Sequence, residues 1–190
     1  MPSALLAAVA ARQADIPVLL VNVLDPGADA RPVRRLATRL AVGVAERHVR
    51  PAERAATARE LVATGDSALA TPAMVELALA MRTAGPYGPR LLVPTAADEL
   101  FSADPAAAGH VGDPHATWRA TEDRLAKLAR VQLRYPFLDK GMVGWVAALP
   151  RAVKHGRDGL PPIWGAALDR LEVPWARNLQ GPSGDTPGQT

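Results

Sequence analysis

An α/β fold, a parallel sheet flanked by helices, is predicted by three features of this 190-residue chain. Continuous apolar runs at residues 16–23 and 90–94 suit strands buried on both faces. Helix-forming segments lie between and around them. Turn clusters separate the segments, and strand, helix, strand, helix, strand is the pattern of a parallel sheet.

Residues 3–13 read as an Ala/Leu helix with Ser3 as its N-cap. Residues 16–23 form the first strand, closed by the turn Asp25-Pro26-Gly27. Residues 31–42 form a helix with Val33, Leu36, Leu40 and Ala41 facing inward. Residues 45–50 read as a polar strand, 51–63 and 72–83 as two more helices. Gly85-Pro86-Tyr87-Gly88-Pro89 breaks the chain before the strand at 90–94. A Gly/Pro/Ala loop follows over 103–114, then a long amphipathic helix over 116–131. Another helix spans 140–149, with Trp145, Val146 and Leu149 as core. From Pro150 the chain reads as irregular, with Trp164 and Trp175 as anchors, and residues 181–190 as a disordered tail.

Composition narrows the function classes. The length suits one domain with its own core. Aromatics are only 4%, so that core rests on Leu, Val and Ala and is modestly stable. Net charge is +3, with acidic and basic residues interspersed. The nearest basic cluster, Arg31, Arg34, Arg35 and Arg39, reads as a solvated helix face. Nucleic-acid binding would call for denser charge and interleaved aromatics, so no nucleic acid is expected. There is no cysteine, which excludes disulfides, thiol nucleophiles and Cys-based metal sites. No apolar run reaches about 18 residues, so no membrane span is expected and a cytoplasmic location is the default. His48, His110, His115 and His155 are scattered, and the spacing of His110 and His115 matches no helical metal pair.

Two runs carry chemistry. One is Val93-Pro94-Thr95-Ala96-Ala97-Asp98-Glu99, at the end of the second apolar strand. The other is Gln132-Leu133-Arg134-Tyr135-Pro136-Phe137-Leu138-Asp139, before a helix that ends in Leu149-Pro150. On residues alone, Asp98 and Glu99 also read as helix-capping acids, and Arg134 with Asp139 as a turn clamp.

In this order the two runs resemble the synthetase domain of the asparagine synthetase family, which includes β-lactam synthetases and lasso-peptide cyclases. The resemblance covers roughly residues 3–171, leaving 172–190 as an irregular tail. It implies an adenine-nucleotide alpha-hydrolase-like sheet with a helical C-terminal part. It also implies ATP-dependent activation of a carboxylate as its acyl-adenylate and transfer to a nitrogen nucleophile. The cofactors would be ATP and Mg²⁺, and the substrate an amino-acid or peptide carboxylate. By the resemblance, Ser3 matches the last Ser of a Ser-Gly-Gly-x-Asp-Ser phosphate loop, and Pro2 falls on its Asp. Asp98 matches a Mg²⁺-pyrophosphate ligand. Thr95 stands where relatives carry Glu or Tyr. Lys154 lies near the position of a Lys that stabilises the departing phosphates.

The departures matter equally. Residues 1–190 contain no Ser-Gly-Gly-x-Asp-Ser run, and the first strand of the family fold is missing with it. Pro94 and Ala96 replace two loop glycines, and Ala takes positive φ at a cost, so a different loop backbone is expected there. Gln132 replaces an acid that shuttles protons in some relatives. The chain therefore reads as a catalytically impaired member of that family. The alternative is a non-catalytic pseudo-enzyme, or a partner subunit of a synthetase or peptide-modifying complex. In either case a protein partner or homo-oligomer is expected to complete the sheet, because an inner apolar strand lacks a neighbour. The strands at 16–23 and 90–94 are expected to be parallel neighbours or near-neighbours in one sheet.

Overall fold

The structure is a computed structural model that describes residues 2–13, 17–64, 70–101, 114–154 and 161–174. The chain is mixed α/β and mostly helical, with short parallel strand pairs. In order it forms α1 (Pro2–Gln13), β1 (Leu19–Leu24), α2 (Arg31–Leu40), β2 (Gly43–His48) and α3 (Pro51–Thr64). Then come α4 (Pro72–Ala84), β3 (Arg90–Leu92), the single turn α5 (Ala97–Leu100), α6 (Pro114–Leu128) and β4 (Gln132–Arg134). A 3₁₀ turn (Pro136–Leu138) leads to α7 (Lys140–Ala148), α8 (Arg151–Lys154) and α9 (Pro162–Arg170).

Local chemistry sets several boundaries. Thr71 caps α4 by accepting from the Met74 N–H, and Pro72 opens the helix where no intrahelical N–H is needed. Asp139 caps α7, accepting from the N–H groups of Gly141 and Met142 at 2.9 and 3.2 Å. Ala41 closes α2 in the left-handed conformation, and Val42 then donates to the Ala37 carbonyl at 3.0 Å. Gly85 ends α4 where a Cβ would sit 3.0 Å from the Ala129 carbonyl oxygen, so glycine permits close approach to the end of α6.

The strands form two two-stranded parallel sheets rather than the expected single one. β1 pairs with β2 from Leu19↔Gly43 to Leu24↔His48, and β3 pairs with β4 from Arg90↔Gln132 to Leu92↔Arg134. Among the described residues no backbone hydrogen bond joins β1 to β3 or β4. The two pairs meet only through side chains. Val21 and Leu91 both pack on one cluster of Met81, Ala84, Val93, Ala126, Val131 and Leu133, set by α4 and α6.

Helices line both faces of β1. Leu20 packs with α1 and α2 (Ala4, Ala8, Leu36, Leu40), while Val23 packs with α3 and α4 (Leu61, Val75, Leu79). The β3 strand is less covered, and Leu92 is 44% exposed.

Other expectations shift. The first strand begins at Leu19 rather than residue 16, and β2 covers 43–48 rather than 45–50. Ala41 is an exposed cap, and Leu36, Ala37 and Leu40 make the inner face of α2. Trp145 is 50% exposed instead of core, because Val146 takes the inward position of α7. Past Pro150 the described residues hold two helices where an irregular chain was expected, Arg151–Lys154 and Pro162–Arg170, and Trp164 is the expected anchor, 5% exposed. The loop at 103–113, Trp175 and the tail at 181–190 lie outside the described residues. No helix among the described residues is long and apolar enough to cross a membrane.

Candidate functional site

The two chemistry-bearing loops leave adjacent strand ends. Because β3 and β4 are parallel, residues 93–98 and 135–139 both emerge from carboxyl ends, where open α/β sheets bind ligands. Beneath them sits an aromatic cluster. Phe101 meets Phe137 edge-on at 6.3 Å and Trp164 at 5.1 Å between ring centroids. Ala97, Leu100 and Val146 complete the cluster, and Leu5 and Leu6 of α1 pack against it. So α1, α5, the 3₁₀ turn, α7 and α9 converge on one point.

The loop after β3 keeps a left-handed residue. Ala96 has φ 69° and ψ 2°, against the expectation that an alanine there would abandon the conformation. Its surroundings hold it: Ala96 is buried, its carbonyl accepts from Leu100 N–H at 2.9 Å, and Ala97 N–H donates to Pro94. The other non-glycine positive-φ residues among those described are Ala41, Arg130 and Glu172, and each follows the C-terminus of a helix. Such residues close helices routinely. Ala96 instead precedes a helix, so helix termination does not account for it. A left-handed non-glycine residue costs about 1–2 kcal/mol, and such strain concentrates at ligand-facing loops.

The predicted site residues fall as follows. Thr95 and Asp98 share this loop, Thr95 half-buried in its turn and Asp98 exposed in the first turn of α5. Ser3 is exposed as the second residue of α1, inside the helix rather than capping it, because Pro2 already occupies the first helical position. Lys154 is the half-buried last residue of α8, which packs on α9. The fold thus brings α1 and α5, which carry Ser3 and Asp98, to the aromatic cluster, while α8 with Lys154 reaches it only through α9. Among the described residues no side-chain hydrogen bond or ion pair links the four to one another. Arg134 and Asp139 form no ion pair, so the expected turn clamp is absent; Asp139 is committed to capping α7, and Arg134 reaches the Gln132 amide oxygen at 3.5 Å. The arginines of α2 are engaged as a surface face: Arg31 pairs with Asp29, Arg34 with Glu46 and Arg39 with Glu172.

Sequence reasoning missed Glu122. It lies on α6 at 5% exposure, and its Oε2 has no hydrogen-bond partner. Burial pushes its carboxyl above the usual range. Tyr135, in the second loop, is pushed up by burial and then by the Glu122 charge, and the Arg119 guanidinium lies 5.3 Å from its ring centroid. A sequence signal existed. Glu122 stands in register with Leu125, Ala126 and Ala129, on the apolar stripe of α6 rather than on its polar face. A buried carboxyl holds its proton more tightly than a free one, and Gln132 has no such proton to hold.

The groove at the ends of α1 and α9, about 430 Å³ and lined by Arg12, Gln13, Ala167, Arg170 and Leu171, contains none of the candidate residues. Among the described residues no three His, Cys, Asp or Glu side chains cluster to hold a metal. No protein-family model matches the chain, and no curated protein matches it.

Proposed function

We propose that this chain is a nucleotide-facing domain of the asparagine-synthetase type whose adenylation chemistry it does not complete by itself. The observation that carries the reading is Ala96. A strained, left-handed residue opens α5 at a strand's carboxyl end, at the place where the resembling family has a loop glycine. In this reading Asp98 holds ATP-borne Mg²⁺, Thr95 and Ser3 face the nucleotide, and Lys154 meets its phosphates. Glu122 with Tyr135 supplies the proton-holding group. ATP would supply the leaving group that activates an amino-acid or peptide carboxylate.

The impairment rests on the loop after β3. Pro94 and Ala96 stand where the family has glycines, and Pro94 has no N–H to donate. Losing even one such donor costs about 10²–10³ in rate. A second reading, a pseudo-enzyme acting as a partner subunit, is favoured by the split sheet, in which β1 has β2 alone as a strand neighbour among the described residues.

The experiment is titration of the chain with Mg·ATP by calorimetry, alongside ATP–pyrophosphate exchange. Expected are measurable nucleotide binding that Asp98→Ala weakens, and no exchange above a no-enzyme control. Exchange that Asp98→Ala abolishes would overturn the impairment. No binding at millimolar Mg·ATP would overturn the nucleotide reading.

A further inference from the structure

Glu122 stands where α6 meets the second loop. It is 5% exposed, and its Oε2 has no hydrogen-bond partner. The Tyr135 hydroxyl is its hydrogen-bonding neighbour. The same hydroxyl lies 3.5 Å from Asp123 Oδ1, and the Arg119 guanidinium lies over the Tyr135 ring. One phenol thus faces two carboxyl groups, and a phenol has one proton to donate. Tyr135 is also the residue at which the second loop leaves β4. Its carbonyl accepts from Leu138 N–H at 3.0 Å and closes the 3₁₀ turn. Arg134, just before it, accepts from Val93 N–H at 3.0 Å, at the start of the first loop. Whatever holds Tyr135 in place therefore holds the roots of both loops.

Among the described residues, the charges that act on Glu122 are Asp123 and Arg119 of its own helix. α4 meets α6 through Met81 and Ala84, and its two charged side chains are engaged elsewhere, Glu76 by Arg54 and Arg82 by Glu60 and Thr57. β1 brings Val21 to this cluster, and Arg134 of β4 reaches Gln132. The two protonation states of Glu122 make different demands on this small set. A neutral Glu122 can donate its O–H to the phenol oxygen, which leaves the Tyr135 proton for Asp123, and one chain satisfies all three groups. An ionised Glu122 has no proton to give. It competes with Asp123 for the single phenol proton, beside a like charge and with Oε2 still out of water.

We propose that Glu122, Tyr135 and Asp123 form a proton-operated latch on the second loop. With Glu122 protonated, Tyr135 holds the loop against α6. When Glu122 releases its proton to solvent, Tyr135 swings off α6, water reaches the carboxylate, and the roots of both loops loosen. Burial holds the Glu122 carboxyl above its ordinary range, against the opposing pull of Tyr135 and Arg119. The latched form is therefore favoured at low pH and lost as pH rises through the folded value. Each unit by which the latched form raises that titration makes the open form about tenfold more populated after ionisation. The latch does not rest on the nucleotide reading, because it is a property of the loop with no nucleotide present.

The test is NMR of the full chain between pH 4 and pH 8. The chain has two tyrosines, so comparison with Tyr87→Phe assigns the Tyr135 ring. Expected in the parent is a joint change of the Tyr135 ring resonances and of amide protection over 135–139, with one midpoint above 4.5. Glu122→Gln, neutral at every pH, should keep the low-pH ring position throughout. Asp123→Asn, on an exposed side chain and so compatible with folding, should move the midpoint down, because it removes both a like charge and a competitor for the phenol proton. Arg119→Ala should move it up. A carboxyl with a structural role alone would titrate without moving the ring. Three results would overturn the latch: a Tyr135 ring and loop indifferent to pH, the same transition in Glu122→Gln, or a midpoint that Asp123→Asn leaves in place. Mg·ATP affinity, measured on the same samples, reports separately on the nucleotide reading: no binding with the transition intact strikes that reading and leaves the latch standing.

Discussion

The β1–β2 pair runs for six residues with helices against both faces of β1, whereas β3–β4 runs for three and leaves Leu92 in solvent. The first pair is tied down by surface charge as well. Arg34 grips Glu46, Arg47 meets Glu53, and Arg54 bridges Asp25 to Glu76. The second pair has no such ties among its described residues. It holds instead the left-handed Ala96, the buried Glu122 and the aromatic cluster under the loops. One half of the molecule is scaffold, and the other spends its stability on loop shape. Strained backbone and a buried carboxyl with one unsatisfied oxygen each cost free energy that a functional loop can require and a scaffold cannot use.

The largest way to break this contrast is Phe137→Ala. It removes the ring that Phe101 meets edge-on and should cost about 3–5 kcal/mol. Exchange mass spectrometry should show the loss first in peptides covering 93–101 and 135–139, with β1–β2 retaining protection longer. Uniform loss across the chain would mean that the two halves unfold as one.

Next is Glu122→Gln. A raised carboxyl titration means that the folded state prefers the proton, so the stability of the parent protein is fully present below the unfolded value near 4.5 and lost as pH rises through the folded one. The variant has no such loss. It should melt like the parent at pH 4 and above it at pH 8, by about 1–3 kcal/mol, the penalty typical of an unsatisfied buried group. Equal melting at both pH values would show that Glu122 is not a buried charge.

The caps sharpen the comparison. Thr71→Ala and Asp139→Ala should each cost about 1 kcal/mol in denaturant melts, since each side chain serves its helix N-terminus. Only Asp139→Ala should also perturb nucleotide binding, because it lies in the second loop.

The smallest effect is a pair of stabilising changes. Ala41→Gly and Ala96→Gly both relieve positive φ, and each should gain somewhat under about 1 kcal/mol once the extra freedom of unfolded glycine is subtracted. If Ala96→Gly alone alters Mg·ATP affinity, the strain at that loop is tied to the ligand and not to packing.

How much of this was legible in the sequence depended on how local the determinant was. The helices over 31–40, 51–64 and 72–84 were readable because proline starts and apolar spacing act within a few residues. β1 and β3 were readable as apolar runs. Their membership of two sheets was not, because strand pairing depends on which edges meet and no short stretch encodes it. Trp145 was misread because α7 is apolar nearly all round, and its inward side is chosen by Phe137 and Trp164, distant in sequence. Ala96 runs against its own local preference, since it is held left-handed by neighbours on both sides of the loop. Glu122 was visible as a carboxyl on an apolar stripe, but its closeness to Tyr135 needed the turn of the chain between α6 and β4.

The central claim is that β1, an apolar strand, has β2 as its one strand neighbour among the described residues and keeps its other edge open. Residue-by-residue amide exchange along Leu19–Leu24 in the free chain tests it most directly. In a parallel ladder, successive residues turn their N–H groups to opposite sides, so only alternate amides bond to β2. The structure predicts alternation, with every second amide slowed and its neighbours exchanging fast. Uniform slow exchange at all positions would show that the inner edge is already paired within this chain, and would contradict the account.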